Sequence, residues 1–220
     1  MDAYEFWRWI HVILFVLWLG ADVGVFICGS WVRRESLSVE QRTVLLQASA
    51  AIDLWPRFSA ALMLPVGLML ARTWNPALEV VWVAGAWVVA IAWLALTLLG
   101  MRHMGTPRGA TLSRITHAGL VVLSLACFAG GYAWLQAAPE GLGAWLAAKL
   151  MLYGVVALLA IGIEIAFGPV VRGFPMIANE AERARGNAMI RAGMNRTLVV
   201  VATLYVVLLV ASVLGVAKPF

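Results

Sequence analysis

Six stretches of this chain run for about twenty residues or more with almost no charge. They lie at about 7–29, 53–72, 78–100, 115–137, 144–168 and 197–216. A helix rising 1.5 Å per residue needs about 20 apolar residues to cross the hydrocarbon of a bilayer. The pattern therefore predicts an all-α fold, a polytopic membrane helix bundle of six transmembrane helices forming one domain over residues 1–220. None of the runs alternates polar and apolar residues in the short blocks of a barrel strand, and only helices and closed barrels satisfy their backbone in lipid. Two segments between spans read instead as surface helices. VEQRTVLLQASAAI, at 39–52, is amphipathic, and NEAERARGNAMIRAGMNR has Asn179 as N-cap with Glu180 and Glu182 in the first turn.

Composition agrees with the pattern: 63% of the residues are hydrophobic, 12% are charged, and the mean hydropathy is +0.91. The net charge of +5 does not point to nucleic acid, because the bases are gathered in alternate loops and form no stripe with interleaved aromatics. Arg33, Arg34 and Arg42 follow the first span; Arg102, Arg108 and Arg114 follow the third; Arg172, Arg183, Arg185 and Arg191 follow the fifth. Basic short loops stay inside, so both termini are expected on the outer, periplasmic side of a bacterial inner membrane. The acidic start, MDAYEFWRW, reads as a retained first helix rather than a cleaved signal. In the loop MRHMGTPRGATLSRITH, Gly105, Pro107 and Gly109 are expected to enforce a turn. Cys28 and Cys127 stand singly, with no CxxC or CxxCH, which argues against c-type haem, an iron–sulfur cluster and a disulfide scaffold.

The candidate chemistry lies in the ionisable residues inside the spans, which are costly there and usually face a packed interior. In the first span Arg8, His11, Phe15, Trp18, Asp22 and Phe26 recur at steps of three and four and share one helix face. His11 sits roughly 6 Å below the outer boundary. Met69 and Lys149 fall at about the same depth; Met69 is either packing or a metal ligand, and Lys149 either snorkels to the interface or binds a carboxylate or propionate. Asp22 lies toward the inner side, where Arg57 could pair with it or, four residues along its own helix, with Asp53. His103 and His117 flank the strongest inner loop. Brought together across a hairpin they would hold a b-type haem or a divalent metal; otherwise they are interfacial residues.

Three segments carry a resemblance. WIHVILFVLWLGADVGVF is similar to the first helix of the HemJ family of protoporphyrinogen oxidases and of related CopD-like membrane proteins, in which a histidine near the start precedes an aromatic-rich helix. AWLAAKLMLYGVV resembles the family helix with a lysine near its outer end. MNRTLVVVATLYVVLLVASVLGVAKPF is similar to the closing helix, with its leading asparagine and terminal Lys-Pro-Phe. These cover about a third of the chain, which has a hairpin beyond the family's four-helix unit and Ala147 where the family often has histidine. The resemblance implies His11 as haem ligand and Lys149 as its neighbour.

Three functions are then in view. The first is a membrane haem b redox protein with one or two haems, an oxidoreductase acting on a reduced porphyrin such as protoporphyrinogen IX and passing electrons to quinone or another carrier. His11 would bind iron with Met69 or an unidentified group opposite, Arg8 and Lys149 would neutralise propionates, and His103 and His117 would serve a second haem. The second is copper transport, for which His11, Met63 and Met69 are suitable donors. The third is a non-catalytic subunit of a respiratory or photosynthetic complex, alone or as a homo-oligomer, its apolar tryptophan-rich faces packed on other membrane chains.

Overall fold

The computed structural model describes residues 1–75, 78–137 and 143–218. The acidic loop around Glu140 and the closing Pro219 and Phe220 lie outside the described residues. Among the described residues seven α-helices succeed one another: α1 (Ala3–Val32), α2 (Val39–Ile52), α3 (Leu54–Trp74), α4 (Val80–Arg102), α5 (Pro107–Ala137), α6 (Ala144–Gly173) and, after a 3-10 turn at Pro175–Ala178, α7 (Arg183–Ala217). Among the described residues there is no strand, and six helical stretches are long and apolar enough to cross a membrane, α2 and α3 counting as one. This is a multi-pass membrane protein in contact with lipid. Its outward side chains fit that solvent: Val81, Trp82, Val88 and Ile91 of α4 are all exposed.

Local sequence fixes where helices begin. Asp2 and Glu5 cap α1 reciprocally, the Glu5 N–H donating to Asp2 Oδ1 (2.7 Å) and the Asp2 N–H to Glu5 Oε2 (3.1 Å). Ser38 and Gln41 do the same for α2 (3.2 and 2.9 Å), which forms over 39–52 as the amphipathic pattern predicts. Helix α5 begins earlier than expected. Pro107 occupies its first position, where a missing N–H costs nothing, and Thr106 Oγ1 accepts the Gly109 N–H (3.1 Å). The turn is confined to the residues before Pro107.

The helices fall into two compact units. The first comprises Met1–Val25 and Ser49–Thr116. Its interior takes Leu14, Trp18 and Asp22 from α1, Ser59, Ala61, Pro65 and Val66 from α3, and Val83, Ala86 and Ala90 from α4. From His11 to Asp22 the α1 face marked by the three- and four-residue steps is the packed face, whereas Arg8 at its start is exposed and Trp9, Val12, Ile13, Val16 and Leu17 point outward.

The second unit comprises Phe26–Ala48 and the chain from His117 onward. Its core joins Val32 at the end of α1 to Val170, Ile177, Ile190 and Met194. Helices α6 and α7 meet at two glycines. A Cβ on Gly173 would lie 2.9 Å from the Gly186 carbonyl oxygen, and one on Gly186 2.8 Å from that of Gly173, so neither position admits a side chain. Around this contact runs a polar network. Arg42, 3% exposed, donates from Nε to the Val32 carbonyl (2.7 Å) and from Nη1 to Asn187 Oδ1 (2.7 Å). It thereby caps the carbonyl end of α1 with a positive charge. Asn187 Nδ2 donates to Glu35 (3.3 Å), and Glu35 pairs with Arg191 (3.3 Å).

The segment 179–196 is not a separate surface helix with an Asn179 N-cap. Asn179 instead turns the chain, its Oδ1 accepting the Ala181 N–H (3.1 Å), and α7 runs unbroken from Arg183 through the span. Ile190 and Met194 are the reason, since both pack in the core that holds α6. The charged residues occupy the other face of one long helix.

Candidate functional site

In the first unit α1 and α3 run antiparallel, with the Tyr4 and Trp74 rings 5.4 Å apart at one end. Two turns farther in, His11 meets α3 at Gly67. A Cβ there would come within 3.4 Å of His11 Cε1 and 3.7 Å of Nδ1, so the missing side chain is what seats the imidazole. Nδ1 is buried. Arg8, one turn before His11, is exposed and stacks over the Tyr4 ring at 5.7 Å. With Glu5, Trp9 and Val12 it lines a depression of about 320 Å³ on the neighbouring stripe of α1.

Gly67 also orders the methionines. Residues advance by about 100° around a helix, so Met69 lies roughly 200° from the surface that receives His11. Met63, four residues before Gly67, shares that surface. Both are half-buried.

The other histidines each have a neighbour. His103, in the first unit, donates from Nδ1 to the Leu99 carbonyl of its own helix (3.1 Å). His117, in the second unit, donates from Nε2 to Glu164 Oε2 of α6 (2.7 Å), the two side chains being 26% and 34% exposed. The sequence carries no signal for this pair, since nothing local links residues 47 positions apart. The carboxylate holds the imidazole's orientation and fixes which ring nitrogen carries the proton.

Lys149 belongs to the second unit. Its ammonium lies against Gly215 of α7, where a Cβ would be 2.7 Å from Nζ. Lys218, just past the end of α7, stacks over Trp145 at 5.6 Å. This end of the α6–α7 pair therefore gathers positive charge.

In the polar group of the first unit, the Arg57 Nε donates to Asp53 Oδ2 at 2.6 Å. The local i,i+4 partner thus holds this donor. Asp22 is 5% exposed and its Oδ2 has no hydrogen-bond partner among the described residues. Among those residues no three His, Cys, Asp or Glu side chains converge on a point that could hold a metal ion.

No family model, curated protein or solved structure matches the chain.

Proposed function

We propose that this protein is a membrane redox protein that binds a b-type haem through His11. The observation that carries the reading is the seat of the imidazole: a histidine inside a membrane-spanning helix, held against Gly67 of the facing helix. The residues present suit the group, since they offer an imidazole donor, a thioether on the same α3 surface at Met63, and an Arg8 guanidinium one turn toward the helix start to meet a propionate. A haem bound there supplies a one-electron couple. The chain's own part is to fix the His11 ring against Gly67 and to place a cation at the helix end. The likeness of the first helix to the HemJ family adds a substrate class, a reduced porphyrin, with quinone as acceptor.

The test is the reduced-minus-oxidised absorption spectrum of the purified protein. A Soret band is expected, with haem content falling at least tenfold in His11→Ala. Gly67→Val, which pushes on the ring without removing it, is expected to lower haem content while Met69→Leu leaves it unchanged. A protein purified without a Soret band, or unchanged haem in His11→Ala, would sink the reading.

The outward tryptophans favour a second reading, a seat within a larger membrane assembly. Trp9, Trp31, Trp55 and Trp82 are 44–65% exposed, and exposed aromatic side chains suit protein interfaces as well as the headgroup level of a bilayer. Stoichiometric partner chains in the purified material, with no prosthetic group, would support it.

A further inference from the structure

Asp22 is the most deeply enclosed charged group of the first unit, at 5% exposure, and its Oδ2 has no hydrogen-bond partner among the described residues. It lies ten residues before Val32, the end of α1, which is about 15 Å into the helix. At this level α1 packs closely on the α2–α3 junction: a Cβ on Gly24 would touch the Ile52 side chain at 3.5 Å. The charged groups that act on Asp22 are Asp53, the residue preceding α3, and Arg57 on its first turn.

A carboxylate oxygen enclosed in apolar surroundings must be met by a donor, a metal ion or a proton. Arg57 directs its Nε–H to Asp53 at 2.6 Å, and no donor among the described residues reaches Asp22 Oδ2. A metal ion would need further ligands, and no cluster of three ligating side chains exists among the described residues. Asp53 and Arg57 lie at the start of α3 and are 27% and 33% exposed, so the charged groups acting on the enclosed carboxyl are themselves partly open.

We propose that Asp22 is a proton-exchange site, loaded from the aqueous phase at the end where α3 begins and reached past the Asp53–Arg57 pair. A proton carried by water forms the O–H bond at Oδ2, giving a neutral carboxyl; the reverse step returns the proton to water and restores the carboxylate. No electron moves and no other reactant is needed. The site is independent of haem binding at His11 and stands whether or not that reading holds.

Infrared difference spectroscopy on the full chain in liposomes tests this. A carbonyl-stretch band of a protonated carboxyl is expected to grow on acidification, reverse on alkalinisation, and shift in D₂O. It is lost in Asp22→Asn and kept, with an altered midpoint, in Asp53→Asn. Should Asp22→Asn fail to fold, Asp22→Glu carries the test: the band moves in frequency if Asp22 is the group. A spectrum unchanged by these Asp22 variants, a band invariant over the pH range of the folded protein, or a band set by sodium concentration at fixed pH overturns the proposal.

Discussion

Gly186→Val is expected to yield no stably folded protein, whereas Gly85→Ala is expected to fold normally. At Gly186 a Cβ would sit 2.8 Å from the Gly173 carbonyl oxygen and 3.0 Å from both Met176 Cβ and Ile177 Cγ2. The carbonyl belongs to a helix backbone, and Ile177 and Ile190 beside it are fully buried, so nothing can move aside cheaply. Overpacking of this kind costs about 1–3 kcal/mol for small insertions; alanine at 186 is expected at the upper end of that range, and valine beyond it. Gly85 has no atom within 4 Å of its would-be Cβ, and alanine there is expected to stabilise helix α4 by about 0.5–1 kcal/mol. Thermal unfolding in detergent, followed by circular dichroism, separates the two. Equal midpoints for Gly186→Ala and Gly85→Ala would disprove the close approach.

Arg42→Ala is the second large effect. The guanidinium satisfies the Val32 carbonyl and Asn187 Oδ1, and its removal leaves two acceptors without their donor. At about 1–3 kcal/mol for each unsatisfied buried group, the expected loss is on the order of 3 kcal/mol, partly offset because a buried charge also disappears. Arg42→Lys recovers little, since a single ammonium has no fork with which to span both acceptors. Asn187→Ala in the Arg42→Ala background should add much less than it does alone, and full additivity in that double-mutant cycle would show that the two residues act separately.

The spans were legible because run length alone is a physical requirement of the bilayer, and no tertiary contact can override it. The packed face of α1 was legible for a related reason, since His11, Trp18 and Asp22 obey one helical period. Helix α7 was misjudged where the sequence turns charged: Arg183, Arg185 and Arg191 read as a solvated helix, but Ile190 and Met194 bury the opposite face, and a helix can be wet on one side and core on the other. Two partners had claims on Arg57, and the one in hydrogen-bonding range along its own helix took the donor. The seat of His11 was hidden for a simpler reason. A glycine leaves no side-chain pattern in the sequence, and only the fold says that Gly67 faces His11.

The cap on α1 joins positions that are made far apart in time. Val32 and Arg42 emerge early in synthesis, Asn187 only after α6 is complete. Until then a guanidinium destined for the interior has one acceptor in place of two. The last helix is therefore what allows the first to be finished, and the second unit closes as a late, long-range event rather than growing helix by helix.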